Sequence, residues 1–288
     1  MDVKKPSTFE EQLSIIRDKG FIVTNEQKCL ELLSRVNYYA LSAYFLPFKI
    51  GRNLYQNNID FIRIDRIYHF DRKIRSLIFS ITESIEVYLR TQFSYYHVHK
   101  YGALGYLDNR NYAPRHDHCV FKQKLEDECI KPQNKTLVVQ HHIKKYDGNF
   151  PLWVIIEYFS IGMLSHFYGD LITSDKKTLA KTLFNTSYQN LESWLICLTT
   201  LRNKCAHYSR LYFFNFPHSP RLRPEHQGIV NSSRKLFEQI LMLKYLYSQF
   251  GDWNVVGFLQ LSTLISEYEE SIDLDHIGFP DNWEELLK

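Results

Sequence analysis

Ile67, Phe70, Ile74, Leu77, Ile81, Ile85, Leu89, Phe93 and Tyr96 recur every three or four positions without interruption. That period is the turn of an α-helix and predicts one long amphipathic helix, the feature around which the rest of the chain must pack. Its other side carries Arg72, Arg75, Glu83, Glu86, Arg90 and His97, and the Glu86–Arg90 pair at i, i+4 reads as an ordinary solvated helix face. Arg90 and His97 also share a face, a spacing taken as coincidence.

The flanking sequence is helical too. Ser7 and Thr8 stand before Glu10 and Glu11 in capping-box spacing, Leu13 and Ile16 supply an apolar stripe, and Lys19-Gly20 closes that helix. A second helix follows Thr24-Asn25 with Leu30, Leu33 and Val36. The aromatic run Tyr38 to Phe48 reads as packing and ends before a polar loop, Arg52 to Asn58. Between Tyr101 and Phe150 the pattern breaks into Gly, Asn, Pro and basic residues, with short helices near Cys119 to Ile130 and Thr136 to Lys145, so 101–150 is expected to be a peripheral inserted lobe. Pro151 suits a helix start, with Trp153, Ile156, Phe159, Met163 and Phe167 following at helical spacing. Leu191, Trp194, Leu195, Leu198 and Leu201 mark a helix from about Tyr188. After a loop over Asn215 to Pro224, two more stripes run from Leu236 to Phe250 and from Val255 to Tyr268. No long alternating strand pattern and no repeat of fixed period is present, so the expectation is an all-α fold over 1–288 as a single domain.

Composition bounds the setting. A chain of 288 residues with 20 Tyr and 20 Phe can bury a sizeable core, and its net charge of +3 confines any nucleic-acid surface to a local patch. The 5 cysteines, odd in number and without C-x-x-C spacing, spell neither a disulfide framework nor a zinc knuckle and fit a reducing cytoplasm. Met1-Asp2-Val3-Lys4-Lys5-Pro6 lacks a leader's apolar core, and no stretch approaches the roughly 18 apolar residues of a membrane span, so no membrane association is expected. A Gly-rich phosphate loop, a G-x-S-x-G elbow and a paired-carboxylate arrangement are absent, which leaves kinase, hydrolase and glycosidase readings without support.

Chemistry concentrates in Arg202-Asn203-Lys204-Cys205-Ala206-His207. Arg202 falls one turn beyond Leu198 in the apolar stripe, where a permanent guanidinium needs a carboxylate, carbonyls or a phosphate, and Glu83 or Glu86 could serve. Asn203 and His207 are i, i+4 neighbours, so the amide could orient the imidazole. Such a group suits RNA cleavage, in which a base deprotonates the 2′-hydroxyl, the oxygen attacks the adjacent phosphorus and an acid protonates the leaving 5′-oxygen. Histidine can do either proton job, arginine can hold the non-bridging oxygens, and no metal or other cofactor is required. On an undistorted helix Arg202 and His207 stand about 140° apart, so either the helix loosens here or the site is completed across a dimer.

The blocks Tyr38 to Phe48, Ile67 to Arg75, Ile85 to Arg90, Arg202 to Tyr212 and Gly278-Phe279-Pro280 with Trp283 together resemble the Abi-like (AbiD/AbiF) abortive-infection family of bacterial phage defence. That family is similar to the HEPN superfamily. The resemblance implies a HEPN-like helical bundle with additional N- and C-terminal helices, frequent homodimers, and in many members a metal-independent endoribonuclease, toxic to the cell, acting through an R-x(4 to 6)-H motif. Its motif residues here are Arg202, Asn203 and His207, with Glu86, Arg90, Tyr208 and Arg210 implied as RNA-binding or supporting residues. The alternative is a non-catalytic RNA-binding or scaffold protein of a defence or toxin-antitoxin system that binds a small non-coding RNA.

One further cluster, Arg115-His116-Asp117-His118-Cys119 with Cys129 and His141-His142, holds metal-ligand types without ligand spacing and reads foremost as a solvated polar loop. A metal-dependent nuclease using this lobe is a third possibility. Lys122, Lys124, Lys144 and Lys145 could make the lobe basic enough to hold RNA, with Tyr106, Tyr112 and His116 stacking on bases.

Overall fold

The computed structural model describes residues 5–52, 54–228, 230 and 234–288. Residues 1–4 of the segment read for a leader, and Asn53 of the polar loop, lie outside the described residues. The fold is all-α. Its elements in order are α1 (Phe9–Asp18), α2 (Glu26–Arg35), α3 (Tyr38–Ser42), a hairpin of β1 (Lys49–Gly51) and β2 (Leu54–Tyr55), α4 (Phe61–Tyr101), α5 (His118–Lys124), α6 (Leu137–Tyr146), α7 (Leu152–Ile155), α8 (Ile161–Asp170), α9 (Thr173–Phe184), α10 (Tyr188–Ala206), α11 (Leu236–Tyr247), α12 (Leu259–Tyr268) and α13 (Trp283–Leu287). Of this small antiparallel hairpin, β2 falls within the stretch expected to be a polar loop, Arg52 to Asn58, and β1 just before it.

Local chemistry sets the helix ends. Thr8 Oγ1 accepts from the Glu11 N–H at 3.2 Å while the Glu11 carboxylate accepts from the Thr8 N–H at 2.7 Å, the reciprocal cap that starts α1. Asn25 caps α2 and Asp60 caps α4 in the same way, through side-chain oxygens and first-turn N–H groups. Gly102, with φ +81°, ends α4 where an L side chain would be strained.

The predicted long helix is α4, and it is central: α7, α8, α10, α11 and α12 all pack on it. Ile67, Phe70, Ile74, Ile81, Ile85, Leu89 and Phe93 are buried as their spacing required. The second side of α4 departs from expectation. Arg75, Glu86 and His97 are buried rather than solvated. A helix with neighbours on several sides has no wholly wet face, so polar residues on it must find partners inside the protein.

Leu191, Trp194, Leu195, Leu198 and Leu201 of α10 form a fully buried stripe, with the Trp194 indole N–H donating to the Arg221 carbonyl at 2.7 Å. The stripe that begins at Trp153 does not make one helix. A 3-10 turn over Ile156–Tyr158 and an extended Phe159 interrupt it, Ser160 recaps the chain for α8, and Trp153 is left exposed. At the C-terminal end, Gly278 in the left-handed region turns the chain so that Phe279 packs on Phe237 and Trp283.

The segment after Gly102 returns to α4 where the Leu152 N–H donates to the Ala103 carbonyl at 2.9 Å. Two readings of this segment are corrected. Tyr106 and Tyr112 are buried with their hydroxyls donated to the carbonyls of Phe150 and Tyr106, so neither ring is free to stack on a base. His116 is no solvated loop residue: it stacks on Tyr112 at 3.9 Å, its Nδ1 meets Asp170 at 3.0 Å and its Nε2 faces His118 Nδ1 at 3.3 Å. Tyr112 and His116 are covered by apolar rings, Phe121 against both and Phe167 against Tyr112. Among the described residues no three metal-ligand side chains gather into a site. All five cysteines are free thiols, and among the described residues no helix is long and apolar enough to cross a membrane.

Candidate active site at the end of helix α10

Asp71, fully buried on α4, ties three distant stretches together. Its carboxylate accepts from the Tyr44 hydroxyl at 2.6 Å, from the Arg75 guanidinium one turn along, and from the backbone N–H groups of Leu211 at 3.0 Å and Tyr212 at 2.7 Å. Burial pushes the Asp71 carboxyl up, and these four donors oppose it. The chain leaving α10 is thereby pinned to α4. Arg210 tightens the same turn by donating to the carbonyls of Tyr212 and Phe213, at 2.6 and 3.0 Å.

About four turns further along α4, Glu86 sits between two arginines. It is 5% exposed, and its Oε1 accepts from Arg90 at 2.6 Å while its Oε2 lies 3.4 Å from Arg202 Nε. Arg90 also donates to the Phe159 carbonyl at 2.8 Å. A carboxylate with a guanidinium on each oxygen leaves the trio with a net positive charge, and Arg202 keeps about a third of its side chain open to water. Its guanidinium also lies 5.8 Å from the centre of the Phe79 ring.

Helix α10 ends on the motif itself. Ala206 is its last residue and His207 caps it with φ −93° and ψ 16°. The Tyr208 N–H returns to the Cys205 carbonyl at 3.2 Å and the Ser209 N–H to the Lys204 carbonyl at 2.9 Å, the paired bonds of a Schellman ending. That ending needs a left-handed residue after the cap, where glycine is usual; Tyr208 takes it with φ +56°. Tyr208 and His207 are both exposed, and the His207 imidazole has no partner among the described residues.

Glu86, Arg90 and Arg202 thus come together, and of the two carboxylates considered for Arg202 the one that meets it is Glu86, not Glu83. Asn203 Oδ1 accepts from Arg202 at 3.5 Å, and among the described residues its amide makes no hydrogen bond to His207. Arg210 turns to the interior side of the loop and Tyr208 to the exterior. The sequence reading did not pick out Asp71 as the anchor or Phe79 as a neighbour of the site. Phe79 left a signal: a phenylalanine on the face that also carries Arg72, Ser76 and Glu83 is out of place on a polar flank. Beside the motif a cleft of about 630 Å³ opens between this face of α4 and the end of α10, lined by Arg72, Ser76, Phe79, Glu83, Ala206 and Tyr208 among others.

The fold defines an all-α protein organised on one long central helix, with an arginine and a histidine at the end of a second helix packed against it. The model of the Abi-like protein family matches residues 31–213, more than half of the 288-residue chain, and the protein belongs to that family. Membership places it among the abortive-infection proteins of phage defence. No curated protein and no solved structure gives a significant match.

Proposed function

We propose that the protein is a HEPN-type endoribonuclease that cuts RNA by attack of the 2′-hydroxyl on the adjacent phosphate. The observation that carries this reading is a guanidinium, Arg202, held by the buried Glu86 with about a third of its side chain open to water, on the last turns of a helix that ends with the exposed imidazole of His207, unpartnered among the described residues. His207 takes the 2′-hydroxyl proton, the new oxygen–phosphorus bond forms as the bond to the 5′-oxygen breaks, and the 5′-oxygen is protonated as it leaves. The products are a 2′,3′-cyclic phosphate and a 5′-hydroxyl. Arg202 faces the charge that builds on the non-bridging oxygens, and Asn203 supports Arg202. The steps require only proton transfer and charge stabilisation by side chains.

One imidazole cannot be both base and acid in a single step, so the reading includes a homodimer in which a second His207 supplies the other proton. Ile196, Thr200, Asn203 and, one step past the helix end, His207 follow one side of α10, with Ile196 48% exposed. A two-fold pairing through this side would bring the two imidazoles together.

His207→Ala is expected to abolish RNA cleavage and cell toxicity, by 10²-fold or more as for loss of a proton-transfer residue, with helical circular dichroism unchanged. Sequencing the RNA ends made in cells expressing each form reads chemistry and substrate together. Retained cleavage would remove the catalytic assignment, and RNA recovered bound but uncut from the wild type would favour the binding protein instead.

A further inference from the structure

The cleft beside His207 has a chemical character that the cleavage reaction does not use. Its two exposed rings come from different walls, Phe79 of α4 at 39% exposure and Tyr208 past α10 at 85%. Tyr208 holds a left-handed backbone that glycine would adopt without strain, and no packing accounts for a tyrosine there. On either side of Phe79 along α4 stand two exposed ions of the same cleft, Arg72 and Glu83, neither of which has a partner among the described residues. They share one helix face about 16 Å apart along the axis, a gap that one nucleotide and two extended side chains can span. The cleft volume of about 630 Å³ is ample for a nucleotide.

We infer that this cleft is a guanine subsite: Phe79 and Tyr208 hold the base between them, Glu83 reads its edge and Arg72 meets the flanking phosphate. The inference rests on the RNA reading given above. A carboxylate can only accept hydrogen bonds, and its two oxygens match two adjacent donors. Guanine alone among the four bases presents such a pair, N1–H beside the N2 amine. Adenine and cytosine place an acceptor nitrogen next to their single amine, and uracil flanks its one N–H with two carbonyls; each sets an acceptor against the carboxylate. Stacking is indifferent to base identity, so Phe79 and Tyr208 supply affinity while Glu83 supplies choice. A cut next to His207 should then fall beside a guanosine.

Fluorescence anisotropy with the full chain tests this, using short RNAs made uncuttable by 2′-O-methyl riboses and differing at one central base, guanine, inosine, adenine, cytosine or uracil. Guanine is expected to bind tightest, inosine, which lacks the N2 amine, about tenfold less tightly, and the others up to ~100-fold less, in the range of a lost bidentate contact. Glu83→Gln should erase the ranking, Tyr208→Ala should weaken all five strands alike, and both residues are exposed, so folding is retained. Equal affinity for all five strands, or a guanine preference unchanged in Glu83→Gln, overturns the subsite. A competing arm with guanosine monophosphate tells a free nucleotide from a strand: displacement at equal or lower concentration keeps the guanine site and assigns it to the nucleotide. The nuclease reading fails separately. Guanine preference in a protein that cuts no RNA sustains the subsite without the cleavage, and cleavage whose ends show no base bias in wild type or Glu83→Gln does the reverse.

Discussion

His97 lies fully buried on α4, among Tyr101, Tyr112 and Phe167, and neither ring nitrogen has a hydrogen-bond partner among the described residues. Burial holds its imidazole down at about 4 against an ordinary 6.5, with Asp175 pulling it up and Lys100 adding to the depression. The unfolded chain therefore takes up a proton below pH 6.5 that the folded chain refuses until about pH 4. Stability is full above 6.5, declines as the pH falls through that window and levels below it, a loss of about 3 kcal/mol from this residue. His97→Phe should flatten that decline in urea unfolding curves taken from pH 7 to pH 4. His118, His226 and His276 are lowered by burial too, so the readout is the difference between the two proteins and not the slope of either. An equal slope in both would place the acid sensitivity elsewhere. The same residue exposes a limit of pattern reading: its spacing with Arg90 is shared helix face and nothing more, because Arg90 is turned to Glu86 and Phe159.

At the scale of the element, α10 decides the geometry of the motif by where it stops. Had the helix run on, Arg202 and His207 would stand about 140° apart; instead the Schellman ending places the histidine at the cap and swings the chain back towards Asp71. The strain of that ending rests on Tyr208. Replacing it by glycine should stabilise the fold by about 1 kcal/mol, since a left-handed non-glycine residue is disfavoured by roughly that amount and the exposed ring gives up little packing. RNA affinity should fall in the same variant. Thermal unfolding beside anisotropy checks both, and a loss of stability would show that the ring is held by contacts that compensate its backbone. The predicted helix over the motif was legible because Leu191 to Leu201 repeat so regularly. Its end was not, because no glycine or proline marks it: the stop is imposed from outside, by the buried carboxylate of Asp71 on α4.

At the scale of the whole molecule, the family blocks that lie far apart in sequence converge. Tyr44, Asp71, Arg75, Leu211 and Tyr212 form one buried hydrogen-bonded group, and Glu86, Arg90 and Arg202 another. Both hang on α4, so the central helix sets the distance between them. A second copy is the remaining level of organisation that the proposed chemistry asks for. Ile196→Arg, on the exposed side of α10, should convert a dimer to a monomer by light scattering and lower cleavage tenfold or more, because a charge in the core of a small two-fold interface is repeated in both subunits. A wild type that is monomeric and fully active would end the two-copy arrangement.

Sequence alone determined that the chain is helical, that α4 is long and that the motif rides on the helix after Tyr188, since these follow from the period of apolar residues and from local caps. It also narrowed the partner of Arg202 to Glu83 or Glu86. Only the tertiary structure chose Glu86, buried Arg75, Glu86 and His97 on the second side of α4, and drew His116 out of an otherwise largely exposed polar cluster to stack on Tyr112. Burial of a polar residue depends on what packs over it from remote parts of the chain, and no periodicity within one helix carries that information. Tyr208 is the clearest case: the sequence presents an ordinary tyrosine after a histidine, and only the ending of α10 against Asp71 makes it an exposed, left-handed ring at the mouth of a cleft.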